Sequence, residues 1–190
     1  QRYELAAPFF VLATQNPVEQ AGTYALPEAQ LDRFLLFVRV DYPSVEEERA
    51  ILSLTTGVAG ASVASVLDAD DVIALQQLVR EVDISVPLLH YATDLVRATR
   101  PENQGHEQVE KYVRWGAGPR AGQAVILCAK ALALLNRRFA VTLDDIQAIA
   151  APALRHRILL NFEAEADGVT SDDIVGAILS SLSVAAPALR

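Results

Sequence analysis

The sequence has little of what marks secreted, membrane-spanning or nucleic-acid-binding proteins. Its 190 residues include a single cysteine, Cys128, which excludes an internal disulfide and whose apolar neighbours favour a thiol buried in the core. No apolar run reaches the roughly 20 residues that cross a bilayer, and no basic-then-apolar leader opens the chain, so the cytoplasm is the expected location. Basic residues are also scarce. With 16 of them against 24 acidic residues, the net charge is -8, which disfavours nucleic-acid binding.

The acidic residues occur in short runs that match helix starts better than metal sites. Carboxylates in a first helical turn are stabilised by the positive end of the helix. His90, His106 and His156 lie far apart with no paired-ligand spacing, so we expect solvated loop histidines and no metal site. Trp115 is predicted to be a packing anchor, because few basic residues surround it. The acidic runs are Glu46-Glu47-Glu48, Asp70-Asp71, Asp144-Asp145 and Asp172-Asp173.

The apolar patterns predict two short strands followed by a mainly helical body. Phe9 to Ala13 lacks polar alternation, as does a strand covered on both faces, and Leu36 to Val40 reads as a second strand. The later patterns have helical periods, and 52% apolar residues suffice for a core. The predicted helices run from Ser44 to about Thr56, 68–82, from Pro87 to before Pro101, 121–136, from Thr142 to an interruption at Pro152, and from Ser171 onward.

Three polar residues are candidates for binding an anion or water. Asn16 follows the first predicted strand, and ligands gather at the carboxyl ends of strands in open α/β sheets. Arg120 follows Gly118 and Pro119 at a predicted helix start, beside backbone N–H groups that favour an anion. Arg33, in the segment LDRF, presents either a phosphate-binding guanidinium or a surface ion pair with Glu28 or Asp32.

Four segments, taken in order, resemble the MoxR family of AAA+ ATPases: ATQNP, EQAGTYALPEAQLDRF, YPSVEEERAIL and GAGPRAGQAVILCAKALAL. The family also has a GxxxxGK[ST] phosphate-binding loop and an acidic magnesium-binding strand, and neither motif occurs in these 190 residues. The resemblance therefore implies the C-terminal half of such an ATPase. The expected fold is mainly α, a helical AAA+ lid bundle attached to the last two strands of an α/β P-loop ATPase core.

The resemblance also implies a division of the chain and a role for each candidate. Residues 1–43 would be the end of the core, 44–62 a helix and connector, and 63–190 the lid. Asn16 would be the sensor-1 residue, and Arg120 the sensor-2 residue that contacts nucleotide in its own subunit. Arg33, on the other face of the subunit, would reach the nucleotide of the adjacent subunit. Gly118 replaces the serine usual in the family.

A second basic segment leaves two interpretations open. Arg155-His156-Arg157 matches an LRHRL-like family segment and could form a patch on the nucleotide side. Helix-end electrostatics and packing at the edge of the core are the favoured interpretation.

By resemblance, the parent protein would bind ATP with Mg2+ and hydrolyse it in a ring, expected to be a hexamer. It would act as a chaperone in the maturation or activation of partners that often contain von Willebrand factor A domains. This chain alone would hydrolyse nothing, since it lacks both nucleotide motifs. The alternative is a non-enzymatic helical module for protein interaction.

Overall fold

A computed structural model describes residues 3–15, 26–57, 64–103 and 105–183, and in these ranges the chain is mainly helical. The mainly α fold predicted from the sequence is confirmed. A 3₁₀ turn, Pro101–Asn103, links two of the helices. The elements are α1 Glu28–Leu31, α2 Val45–Thr55, α3 Ala69–Glu81, α4 Val86–Ala98, α5 Glu107–Tyr112, β1 Val113–Trp115, α6 Pro119–Leu135, α7 Leu143–Leu154, β2 Leu159–Leu160, α8 Phe162–Asp167 and α9 Ser171–Ser181.

The helices begin where the sequence supplies capping residues. In a capping box, the N-cap side chain accepts from the backbone N–H three residues on, and the acidic side chain there accepts from the N-cap N–H. All four acidic runs lie in first turns, which confirms them as helix signals. Across the described ranges, no cluster of His, Cys, Asp or Glu could hold a metal ion. The boxes pair Ser44 with Glu47, Asp68 with Asp71, Thr142 with Asp145, and Thr170 with Asp173.

The core is built around α6, which packs against α3, α4 and α7. Alanines on α6, including Ala121, Ala129 and Ala133, are fully buried and let the neighbouring helices approach closely. Cys128 is buried on the same helix, and burial raises the pKa of its thiol to about 11, so the predicted core thiol is confirmed. No helix among the described residues is both long and apolar enough to span a bilayer.

The two strands lie elsewhere than predicted. Neither Phe9 to Ala13 nor Leu36 to Val40 forms a strand, and Phe10 and Leu12 are 72% and 86% exposed. A strand needs a neighbouring strand to pair with, and the described part of the chain places none beside these segments. The sheet is instead a small antiparallel pair on the helical body, in which Val113 of β1 pairs with Leu160 of β2. Strands of three and two residues are too short for a periodic pattern to reveal.

Two local predictions are wrong. Pro152 does not interrupt α7, which continues to Leu154 because Ala153 and Leu154 are fully buried and their packing offsets the lost hydrogen bond. Trp115 is 66% exposed and does not anchor the core. The register of β1 is irregular between Val113 and Trp115, so the alternation that would turn both side chains inward is broken.

The cap of α7 predicts an acid-dependent loss of stability. Asp145 is 3% exposed and pairs with Arg138 at 2.5 Å, which together with bonds from Thr142 lowers the pKa of Asp145 to about 2. Because the folded-state pKa lies below the unfolded value, the contribution is fully present above about pH 4 and lost as pH falls through 2. We expect it to be about 2 kcal/mol.

Denaturant unfolding of wild type and Asp145→Asn at pH 6, 4, 3 and 2 measures this contribution. The variant should be less stable at pH 6 and should lose less stability on acidification. Asp71→Asn, in the exposed capping box of α3, is the matched control. An equally steep acid loss in wild type and Asp145→Asn would contradict the assignment.

Candidate functional site

The two candidate arginines of the described chain border one open depression of about 420 Å³. It lies where the turn after α1 meets the N-terminal half of α6. Arg33 comes from the turn and Arg120 from the helix, so this chain places them at one depression and not on opposite faces as the resemblance implies. Asn16 lies outside the described residues. The lining is completed by Asp32, Leu35, Gln123, Ala124, Leu127 and Arg157.

Arg120 stands on a firmly held helix start. α6 begins at Pro119 with Gly118 as its N-cap, as the sequence predicts. The preceding Ala117 donates its N–H to the buried hydroxyl of Thr99 at 2.9 Å, and its carbonyl accepts from Arg100 at 3.0 Å. These bonds tie the start of α6 to the end of α4. The base of Arg120 is therefore fixed, while its side chain remains 53% exposed at the depression.

Gly116 and Gly118 make a matched pair for testing this support. A Cβ on Gly116 would lie 2.4 Å from the carbonyl oxygen of Thr99, whereas a Cβ on Gly118 would meet nothing within 4 Å. We expect Gly116→Ser to lower the free energy of unfolding by about 2 kcal/mol. Gly118→Ser should be neutral or stabilising by a few tenths of a kcal/mol, because serine is a good N-cap. Denaturant unfolding of the two variants checks this, and equal effects would contradict the close approach.

A third arginine, Arg157, lies at the edge of the depression and is almost fully buried, with 3% of its side chain exposed. It donates to Asp32 Oδ1 at 3.0 Å and to the backbone carbonyls of Asp32, Phe34 and Leu35 at 2.9, 2.6 and 3.3 Å. It also donates to the carbonyl of Ala153. Burial lowers the pKa of Arg157, and the hydrogen bond with Asp32 opposes that shift. Arg157 thus fastens the turn that carries Arg33 to the end of α7.

The residues on either side of Arg157 extend this attachment. His156 bonds through Nε2 with the carbonyl of Phe34 at 3.1 Å, and Arg155 donates to the carbonyl of Phe37 at 3.2 Å and to Asp172 at 2.9 Å. Phe37 donates its N–H to the carbonyl of Pro152 at 2.8 Å. We call residues 32–37 the docked segment, because side chains from the end of α7 hold it in place.

His156 does not match the prediction of a solvated loop histidine. It is half-buried and stacked on Phe37, with ring centroids 6.1 Å apart. Burial is the main cause that lowers the pKa of His156, and the charge of Arg157 lowers it further. The sequence correctly placed Arg155-His156-Arg157 at a helix end. It did not show that these residues bind the docked segment, which lies about 120 positions earlier in the chain. A contact at that separation leaves no local pattern.

Arg33 differs from the other two arginines because its side chain forms no ion pair or hydrogen bond with the described residues. Its backbone N–H closes the turn by donating to Gln30 at 3.1 Å. In the part of the chain that the structure describes, no ion pair or side-chain hydrogen bond includes Arg33. The surface ion pair with Asp32 is not formed, because Asp32 pairs with Arg120 and Arg157 instead.

The charge of the depression suits a multiply charged anion. Three guanidinium groups border it against the one carboxylate of Asp32. Arg33 and Arg120 are exposed, so their planar donors can turn toward phosphate oxygens. The arrangement can bind a polyphosphate.

Comparisons with known proteins identify the family of this chain. A family model described as the AAA lid domain matches residues 106–178, and one described as the ATPase family associated with various cellular activities matches residues 1–36. The chain is 37% identical to the chaperone MoxR1 of Mycobacterium tuberculosis, covering 96% of the chain and 48% of that protein. It is 41% identical to the protein YeaC of Bacillus subtilis, covering 95% of the chain and 54% of that protein. The chain thus spans about half the length of these curated relatives.

A solved structure shares the fold. The crystal structure of a proposed ATPase from Cytophaga hutchinsonii superposes with a TM-score of 0.90 at 39% identity, covering 97% of this chain and 56% of that one. The helical body corresponds to an AAA lid, and relatives of 37% and 41% identity extend over nearly the whole chain. Taken with the ordered motifs, these findings show that the chain belongs to the MoxR family of AAA+ ATPases.

Proposed function

We propose that this chain supplies nucleotide-sensing residues to an ATP-hydrolysing MoxR-type ATPase. Arg120 contacts the phosphates of the nucleotide bound in its own subunit, and Arg33 contacts the γ-phosphate of the nucleotide in the adjacent subunit. The observation that carries the proposal is that both guanidinium groups are exposed and can therefore donate to phosphate oxygens. Phosphoryl transfer is a reaction in which such positive charges lower the barrier.

Arg120 and Arg33 project from different kinds of local structure, and this difference fits their proposed roles. Arg120 projects from a helix start tied to α4, so it can report the position of a nucleotide to the helical body. Arg33 projects from an exposed turn and has a charge that no acidic side chain of the described chain neutralises. An exposed cation of this kind can reach across a subunit boundary. Asn16 is proposed to orient the attacking water or the γ-phosphate, a role that rests on the resemblance.

The proposed activity belongs to the whole protein. ATP supplies the transferable phosphoryl group, and Mg2+ neutralises its charge when both are bound. The chain contains no GxxxxGK[ST] motif, so we propose that it does not hydrolyse ATP by itself. We propose the same division as the sequence suggests: residues 1–43 complete the ATPase core, 44–62 connect, and 63–190 form the lid.

The cellular role is also a proposal. A relative of 37% identity is called a chaperone, which supports a chaperone-like function in the maturation or activation of other proteins. We propose a hexameric ring in the cytoplasm on the basis of the family resemblance, and such a ring would supply the neighbouring subunit on which Arg33 acts. Partners with von Willebrand factor A domains follow from the family resemblance.

Subunit mixing tests whether Arg33 acts on the neighbour. Arg33→Ala and Arg120→Ala should each inactivate the whole ATPase. In a random equal mixture, about a quarter of the interfaces join an intact Arg120 to an intact Arg33 of the adjacent subunit, so activity should reappear. If both arginines serve the same nucleotide from one chain, the mixture stays as inactive as its components. Mixing Arg33→Ala with the double variant is the control, which must remain inactive in either case.

A further inference from the structure

A single carboxylate, that of Asp32, joins two of the arginines at the depression. Its Oδ1 accepts from Nε of Arg157 at 3.0 Å, and its Oδ2 accepts from a terminal nitrogen of Arg120 at 3.3 Å. The two guanidinium groups come from different helical elements, α6 and the end of α7. Asp32 directly precedes Arg33 in the chain. One acidic side chain therefore lies between the proposed nucleotide sensor and the turn that carries the proposed finger.

The two ends of this bridge differ in how easily they open. Arg157 is buried, with 3% of its side chain exposed, and it also donates to the backbone of the docked segment. Arg120 is 53% exposed, and its contact with Asp32 is the longer of the two. A buried charge that loses its partner is strongly destabilised, whereas an exposed pair is worth little. An anion that enters the depression can therefore detach Arg120 and leave Asp32 on Arg157.

We infer that Asp32 is the resting partner of Arg120 and competes with the phosphate groups of the nucleotide for its guanidinium. Asp32 is a positioning residue: it holds Arg120 over the depression when no anion is present and weakens anion binding by the cost of separating the pair. This inference rests on the proposed function of Arg120. It assigns Asp32 a regulatory role, in which a phosphate must displace the Asp32 carboxylate from Arg120 while Asp32 remains paired with Arg157.

The direct test titrates inorganic tripolyphosphate into this chain and follows side-chain NMR signals. In wild type, the Nε–H signal of Arg120 should shift with saturation while that of Arg157 stays in place. The Asp32 carboxyl carbon should shift in parallel, because it loses one of its partners. In Arg120→Gln, the Asp32 carbon should already have the shifted position and should not respond. Since Arg120 is exposed, this variant leaves the fold intact and the comparison does not depend on replacing Asp32.

Replacing the carboxylate gives the second arm. Asp32→Asn should bind tripolyphosphate about fivefold tighter than wild type, the amount expected from removing one exposed ion pair. Asp32→Glu should restore the weaker binding. In the Arg120→Gln background, Asp32→Asn should change the affinity little, because the competition needs both partners. Circular dichroism and the amide signal of Phe37 verify that each variant retains the docked segment. If a variant loses the segment, the competition is judged from the wild-type and Arg120→Gln titrations alone.

The outcomes separate this inference from the proposed function. Equal affinity in wild type and Asp32→Asn, with a response of Arg120 in both, would leave Arg120 as a phosphate ligand and overturn the competition. A gain of affinity that persists in the Arg120→Gln background would show a simple charge effect of Asp32 and also overturn it. No response of Arg120 in either protein would remove both the competition and the phosphate role of Arg120.

Discussion

Arg33→Ala is expected to lower the ATP turnover of the whole ATPase about a thousandfold, the effect typical of losing an arginine that stabilises the transition state of phosphoryl transfer. The guanidinium of Arg33 is exposed and unpaired with any side chain of the described residues, so its removal leaves no buried group without a partner. The fold should therefore be unaffected. Affinity for ATP should change little, because the interaction strengthens only as charge develops in the transition state.

The measurement is steady-state hydrolysis at saturating ATP, with KM and kcat determined separately. Arg114→Ala is a matched control, since Arg114 is an exposed arginine on β1 and does not border the depression. Arg33→Lys should recover only a small part of the activity, because an ammonium keeps the charge but not the planar pair of donors. A turnover for Arg33→Ala within a few-fold of wild type would remove Arg33 from the proposed mechanism.

The helices could be predicted from the sequence because their signals are local. Ser44 with Glu47 and Thr142 with Asp145 are capping boxes three residues apart, and the structure starts helices at both places. The start of α6 at Pro119 was predicted in the same way. Such signals depend on neighbouring residues alone, so tertiary packing has little chance to override them.

The strand predictions failed because strands depend on distant partners. Phe9 to Ala13 has the composition of a buried strand, but no neighbouring strand pairs with it in the described chain, and its side chains are exposed. The pairing of Val113 with Leu160 joins residues nearly 50 positions apart over two very short strands. Neither the absence of the first pairing nor the presence of the second can be inferred from local composition.

The candidate site could be predicted only in part, because several of its contacts join residues that are far apart in the sequence. Arg33 and Arg120 were chosen as candidates through motifs, but their position at one depression was not predicted, because the resemblance implied opposite faces of the subunit. Their connection through Asp32 and Arg157 was missed. A buried arginine surrounded by backbone carbonyls has no sequence signature, because backbone acceptors are present at every position. Arg157 could be recognised as basic, but its partners could be identified only from the fold.

Arg157→Met should release the docked segment from the helical body. Methionine keeps roughly the volume of the side chain, so the neighbouring packing is retained, but the carboxylate of Asp32 and several backbone carbonyls lose their donor. Removing one partner of a buried ion pair costs about 3 kcal/mol. The loss should fall on residues 32–37, because the core around α6 and α7 does not depend on this guanidinium.

Hydrogen exchange of backbone amides measures this release residue by residue. In Arg157→Met, the amide of Phe37, bonded to the carbonyl of Pro152, should be about a hundredfold less protected from exchange. The protection of the Ile146 amide in α7 should not change. Arg155→Met is the matched control, since Arg155 holds only the far end of the segment through the carbonyl of Phe37. Arg155→Met should expose the amide of Phe37 but leave the amides of Arg33 and Phe34 protected, whereas Arg157→Met should expose all three.

The same variant connects the docked segment to the proposed activity. If Arg157 holds the turn that presents Arg33, then Arg157→Met should lower turnover in the whole ATPase although Arg157 is too buried to reach a neighbouring subunit. Adding Arg33→Ala to Arg157→Met should then cost less than it does in wild type, because the two changes remove one function. Fully additive losses would show that Arg157 acts on stability alone and that the position of Arg33 does not depend on it.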